Sequence, residues 1–263
     1  FHTLPGGMTQ QQITNTVTYL ARTLKFARII ALDASDMKTA AMLREHMRIP
    51  GMGLTTTRYF RDRLAMSGKA AHLGIRVPAF ASIINYDVLF DYMENVPAPW
   101  LFKSRCVLSA VEVQTLYDPE QVWKKLEELG DDQSNFLLTK VIFGDIFFMD
   151  GITADGKVVF SAIHSNTQQA EDQSVAHHSQ NDRELKAIHA ALLPALGFVR
   201  GVTHTKFLRS HASGELYFLE TVVGTSTAEG IEPTSGINLW VEWARVEVAA
   251  MRRENYALSR LNN

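Results

Sequence analysis

The sequence predicts an α+β protein, and three observations carry that expectation. Strand candidates follow one another through the middle of the chain with turn dipeptides between them, two more pair across Ser213-Gly214, and well-capped helices stand beside these runs. The 263 residues are 46% hydrophobic and 21% charged, which excludes a disordered chain, a collagen-like repeat and a disulfide scaffold. That length suits one large domain or two modest ones. A formal net charge of −2 supplies no global field for nucleic acid or an anionic membrane, so neither is an expected partner. One cysteine, Cys106, allows no internal disulfide and suits a reducing compartment. No apolar run approaches the roughly 20 residues of a spanning helix. No basic patch followed by an apolar stretch marks a signal peptide. The chain opens on Phe1 rather than Met, so a processed or trimmed start is expected, in a soluble, cytoplasmic protein.

Along the chain, Thr9 and Gln12 have capping-box spacing, and Ile13, Val17, Leu20 and Leu24 line one helical face. A short strand is expected over Arg28–Leu32, then a helix over about 37–47 that Pro50-Gly51 terminates, then a helix over about 57–73 closed by Gly74. This first part reads as the tail of an α/β unit. Strands are expected at 79–84, 100–105 and 111–116, with a short helix from about Asp87. Asp118-Pro119-Glu120-Gln121 is an N-cap, a first-turn proline and a capping-box glutamine, and the helix it starts runs to Gly130. Strands at 136–143, 146–153 and 157–164 are separated by Gly144-Asp145 and Asp155-Gly156, which is hairpin chemistry. Residues 165–183 are polar and read as a mobile loop or lid. A helix over about 182–196, strands at 202–209 and 215–221, and a helix over about 238–252 striped with Leu239, Trp243, Val246 and Ala250 complete the chain.

Two residues stand out chemically. Lys103 ends an apolar strand and can project into a cleft as a point charge for phosphate, with Arg105 on the same strand face; a surface lysine is the commoner outcome of such a pattern. Glu220 ends a strongly apolar strand, where a carboxylate needs a cation or an ion-pair partner, the salt bridge being the more usual. His164, His177, His178, His204 and His211 lack zinc-ligand spacing, and Cys106 reads as an inert thiol rather than a nucleophile. The glycines in Pro50-Gly-Met-Gly53 and in 224–230 match no phosphate-binding loop. Pattern alone thus gives an α+β protein with a cationic cleft.

The order of segments carries a resemblance. Leu43-Arg-Glu-His46, Ile49-Pro-Gly-Met52, Phe60-Arg-Asp-Arg-Leu-Ala-Met66 and Gly74-Ile-Arg-Val-Pro78 resemble the start of an ATP-grasp domain. Trp100-Leu-Phe-Lys103 resembles the superfamily's first nucleotide-binding strand, and Phe136 to Asp145 its adenine-hinge strand. Gly201-Val-Thr-His-Thr-Lys-Phe207 and Tyr217-Phe-Leu-Glu220 resemble the two strands that carry its magnesium ligands. The resemblance spans nearly the whole chain. It implies two α+β subdomains around a nucleotide cleft, over residues 56–263, preceded at 1–55 by the C-terminal part of an α/β front domain. It also implies ATP as ligand and a small-molecule carboxylate as substrate, activated as an acyl phosphate and passed to an amine or thiol in a C–N or C–S bond. Homo-oligomerisation is left open.

By the same resemblance Arg63, Lys103, Arg105 and Lys206 face phosphates, and Lys140, Val141, Ile142 and Asp145 line the adenine hinge. Glu220 is the one magnesium ligand left, and no residue is assigned a catalytic role. The departures from the family pattern are physical. Arg63 stands where the family has lysine, Lys140 where the hinge has glutamate, Lys206 where the His-Thr-Glu motif has its carboxylate, and Val222 after Glu220 where asparagine is usual. Lysine and valine offer magnesium no oxygen, so its ligand set is incomplete, and Lys206 is expected to pair with Glu220 instead. The expectations are therefore a nucleotide-binding ligase relative of impaired activity or, alternatively, a non-catalytic pseudoenzyme serving as an interaction or regulatory subunit.

Overall fold

Where the chain offers a capping side chain, a helix begins. The computed structural model describes residues 6–109, 111, 113–165, 180–224 and 237–258. Helix α1 (Gln10–Leu20) opens on Thr9, whose hydroxyl accepts from the Gln12 amide while the Gln12 side chain accepts from Thr9 N at 2.8 Å. Helix α2 (Met37–Met47) follows a 3-10 turn at Ala34–Asp36. The strand expected at 28–32 does not form. Among the described residues no strand pairs with it: Ile29 and Ala31 turn into the core while Ile30 and Leu32 stay exposed. The single helix expected over 57–73 is two, α3 (Leu54–Arg58) and α4 (Arg63–His72). The break falls at Asp62, which bridges to Cys106 and caps α4 by accepting from the amides of Leu64 and Ala65. Gly74, at φ +75°, ends α4 as its composition predicts.

The smaller sheet holds β1 (Phe80–Ser82), β2 (Trp100–Ser104), β3 (Gln114–Leu116) and β4 (Phe136–Lys140), antiparallel in the order β1-β4-β2-β3. Helices α5 (Tyr86–Asn95), capped by Asn85, and α6 (Pro119–Leu129), capped by Asp118, cover one face. Strand alternation sends Trp100, Phe102 and Ser104 toward these helices, where Phe102 stacks on Phe136, and leaves Leu101 and Lys103 on the other face.

The larger sheet is β5 (Gly144–Ala154), β6 (Lys157–Ser165), β7 (Gly201–Ser210) and β8 (Leu216–Val223), antiparallel in the order β6-β5-β7-β8. Asp155-Gly156 makes its hairpin turn with both residues at positive φ. Gly144-Asp145 is not the expected turn. Residues 141–143 carry the chain from one sheet to the other, and Gly144 opens β5 opposite Ser210. A Cβ there would sit 2.0 Å from the Arg209 carbonyl oxygen, so the glycine serves strand approach rather than reversal.

Helices α7 (Gln180–Ala195) and α8 (Leu239–Arg252) back the larger sheet, with Leu192, Leu193, Leu239, Trp243 and Val246 buried against Met149, Ile152, Phe207 and Phe218. Ala31, Met37 and Ala40 of the first part join the same core. Asn238 caps α8 by accepting from Val241 N at 3.0 Å. Asn238→Ala should therefore cost about 1 kcal/mol, read as a lower midpoint in urea unfolding at unchanged slope. Of the lid expected at 165–183, residues 166–179 lie outside the described residues, as do His177, His178 and the glycine segment beyond Gly224. No described helix is long and apolar enough to cross a membrane.

Candidate functional site

Side chains alternate across the larger sheet, so its two faces differ in chemistry. Thr203, Thr205 and Thr221 lie on the helix-covered face and are fully buried, and the hydroxyls of Thr205 and Thr221 bond at 2.8 Å. The other face carries Phe148, Asp150, His164, His204, Lys206 and Glu220, set by a register that pairs Lys206 with both Phe148 and Glu220 and pairs Asp150 with His204. Onto this polar face the start of α4 and the end of β2 bring Arg63 and Lys103.

Arg63 is the centre of the arrangement. Its Nε donates to Glu220 Oε2 at 2.8 Å, and its Nη1 donates to the carbonyls of Ser104 and Cys106, both at 2.9 Å. Lys103 stands beside this pair. Burial, and next the positive charges of Arg63 and Lys206, push its ammonium down to about 8, against the pull of Glu220. Lys103, Arg63, Lys206 and Glu220 thus sense one another where the two sheets face each other, three cations to one carboxylate. The group carries net positive charge.

Other expected site residues are engaged elsewhere. Arg105 forms a two-pronged pair with Asp62 (3.2 and 2.5 Å) and donates to the Ser134 carbonyl, away from the cluster. Lys140 gives its ammonium to the carbonyls of Pro97 and Ala98, beside the cis Ala98-Pro99 bond, so its donors are engaged at the end of β4. Asp145 pairs with His211 at 3.1 Å, both exposed. Val141 and Ile142 are half-buried in the link between the sheets, where Val141 N donates to the Pro99 carbonyl.

Glu220 lies opposite Lys206 as the strand order implies, but among the described residues no ion pair joins them. Arg63 takes the carboxylate, and the Lys206 ammonium sits 5.6 Å from the centre of the Phe148 ring. A divalent cation does not fit these residues. One carboxylate is available, an arginine holds its oxygen, two lysines flank it, and no group of three ligating side chains occurs among the described residues.

Two features escaped the sequence reading. Asp150 is fully buried, with His204 Nδ1 at 2.8 Å from one carboxylate oxygen and His164 Nε2 at 3.2 Å from the other, the latter in ion-pair range without hydrogen-bond geometry. The only hint was period two, which puts Asp150 and His204 on one sheet face once the register is known. Beyond Glu220, a cavity of about 550 Å³ is lined by Leu32, Asp33, Leu108, Val222, Gly224 and Trp240, drawn from four distant stretches of chain.

No family model matches the chain. It is 26% identical over 240 residues to the L-arginine-specific L-amino acid ligase of Bacillus subtilis, covering 85% of this chain and 58% of that protein. Its backbone superposes on the L-amino acid ligase of Bacillus licheniformis with a TM-score of 0.72 at 17% identity, over 95% of this chain and 62% of that one. The biotin carboxylase domain of Hydrogenobacter thermophilus 2-oxoglutarate carboxylase, solved with MgADP and bicarbonate, gives 0.71 at 13% identity, over 98% and 61%. The chain therefore spans about three-fifths of the length of these proteins. These likenesses cover nearly the whole chain, and with its two antiparallel sheets the chain has the ATP-grasp fold.

Proposed function

We propose that this chain is the nucleotide-binding part of an ATP-dependent carboxylate–amine ligase that works through an acyl phosphate, with its ligase activity impaired. The single observation that carries the reading is the convergence of the Lys103, Arg63 and Lys206 charges where the two sheets meet. Three cations suit a triphosphate, and the neighbour that holds MgADP has the same fold. Residues 56–263 make the nucleotide domain, and 1–55 are the end of a front domain whose Ala31, Met37 and Ala40 share its core. The cavity of Leu32, Val222 and Trp240 beyond Glu220, whose only charged residue among those described is Asp33, suits the apolar body of a substrate whose carboxylate points toward the cations instead. Impairment follows from the ligand set: phosphoryl transfer needs an ion to bridge the phosphates, and Glu220 is already committed to Arg63. That commitment also favours the second reading, a pseudoenzyme that binds nucleotide and serves as an interaction or regulatory subunit.

The test is calorimetric titration with ATP, with and without magnesium. Saturable binding that magnesium leaves unchanged is expected. No binding at millimolar ATP under either condition would sink the reading. Lys206→Glu sharpens it by placing a second carboxylate opposite Glu220. Like charges across a strand pair should cost about 0.5–1 kcal/mol in the metal-free protein, with magnesium recovering the loss and ATP affinity becoming magnesium-dependent. If the variant ignores magnesium, Lys206 does not occupy a ligand position.

A further inference from the structure

Chemistry that the nucleotide reading does not use lies at the Asp62–Cys106 bridge. A cavity of about 580 Å³ opens there between α2, α3 and the end of β2. Leu54, Thr57 and Arg58 turn one face of α3 toward it, Arg61 follows in the turn after that helix, and Lys38 and Arg105 complete the charged wall. Four cations therefore line the space with one carboxylate, Asp62. That carboxylate is occupied: Arg105 approaches at 2.5 Å and Arg58 at 3.6 Å, and two α4 amides donate to it. Burial works to raise its pKa, but the Arg105 hydrogen bonds and charge, with those amides, outweigh it and hold Asp62 below the usual carboxylate range. Asp62 is thus a spent anion and cannot also neutralise the rest of the wall.

What remains is unmatched. Among the described residues, Lys38 and Arg61 have no carboxylate partner. Thr57 is only 2% exposed, yet its hydroxyl has no hydrogen-bond partner, and the same holds for Arg61 Nε. Buried donors without acceptors are costly and uncommon, and here they border a space with excess positive charge.

We propose that this cavity is a second anion site, separate from the Lys103–Arg63–Lys206 cluster, that takes the carboxylate or phosphate of a small molecule. The Thr57 hydroxyl and the Arg61 guanidinium, whose Oγ1 and Nε are closed to solvent in the free protein, turn toward the cavity to hold an acceptor oxygen, Lys38 balances its charge, and an apolar body lies against Leu54 and Cys106. The site does not rest on the nucleotide reading, because none of its donors belongs to that cluster.

Calorimetric titration of the whole chain tests it, with inorganic phosphate in one arm and acetate, butyrate and hexanoate in the other. Saturable binding is expected in one arm, and the arm identifies the head group. Thr57→Val keeps the shape and loses the hydroxyl, and should weaken that binding about tenfold, the worth of one hydrogen bond to a charged group. Arg61→Gln should weaken it at least as much, while Lys103→Met should leave it unchanged and lose ATP instead. The proposal is overturned if neither arm saturates up to tens of millimolar, or if Thr57→Val and Arg61→Gln both bind as the parent does. It is equally overturned if Lys103→Met abolishes the binding, since the anion would then sit in the nucleotide cleft. Should Arg61→Gln fold poorly, the near-isosteric Thr57→Val decides alone.

Discussion

Lys103→Met is expected to lose ATP binding and, in the ligand-free state, to unfold at higher temperature than the parent. Both effects have one origin. The ammonium is lodged among Arg63 and Lys206 where burial alone already opposes its charge, so it sits at about 8 rather than 10.5. Below pH 8 the folded protein bears a charge it would rather shed. In the ligand-free protein the unfolded chain therefore binds more protons between pH 8 and 10.5, and stability rises with pH through that window and is lowest below it. An apolar side chain of similar length removes the cost.

A bound triphosphate reverses the balance. It rewards the protonated lysine, which about nine-tenths of molecules carry at pH 7 for a group titrating near 8. Removing one partner of such a desolvated pair costs about 2–5 kcal/mol of binding, so the stabilisation of about 2.7 kcal/mol conferred by ATP at a hundredfold excess over its dissociation constant should vanish in the variant. ATP affinity of the parent should fall as pH rises through 8, and Lys103→Arg, which does not titrate there, should flatten the profile. A variant that still gains melting temperature from ATP like the parent would place the phosphates elsewhere.

Asp150→Ala should be the most destabilising single substitution on the polar face of the larger sheet. The carboxylate is fully buried, with His204 at 2.8 Å and His164 at 3.2 Å, and removing one partner from a buried polar cluster costs about 3–5 kcal/mol. For a chain of this size that is on the order of 10 °C in melting temperature. Asp150→Asn keeps one acceptor for His204 and should fall between. A loss below about 1 kcal/mol in Asp150→Ala would mean that the imidazoles do not depend on the carboxylate.

Behind it, His189 packs against Gly151 on the covered face, where burial pushes its imidazole down to about 4 despite the Asp150 charge. A base depressed on folding leaves the unfolded chain with more protons, so acidification from pH 6.5 to 4 should remove about 3 kcal/mol of stability. His189→Gln should blunt that acid sensitivity.

The parts of this molecule that could be read from the chain are those fixed by local chemistry. Thr9, Asn238 and Asp118 announce their helices because a cap acts over three residues, and Asp155-Gly156 announces its hairpin because only a few residue pairs accept positive φ twice. Lys103 and Glu220 could be singled out since each ends an apolar strand, and strand order then placed Lys206 opposite Glu220. What remained hidden depends on packing between distant segments. Gly144-Asp145 has the same composition as a true turn, and only its closeness to Arg209 distinguishes it. Arg63 and Glu220 lie 157 residues apart, so nothing local foretells that arginine, rather than Lys206, claims the carboxylate. Arg105 and Lys140 were visible as cations, but the acceptors that divert them from the cleft, Asp62 and the carbonyls around Pro97, come from elsewhere in the chain.

The grip of Arg63 has a mechanical side. One guanidinium reaches a side chain on β8 and two main-chain oxygens at the end of β2, so it ties the larger sheet to the smaller one directly. The chain itself joins the sheets through the short run 141–143, at the opposite end of β2, where Lys140 stands across from Trp100. The two sheets are thus fastened at both ends of that strand, one fastening covalent and the other electrostatic. Separating the sheets at the Arg63 end must break a charge-assisted hydrogen bond. The arginine is thus a noncovalent counterpart, at one end of β2, of the short covalent linker at the other.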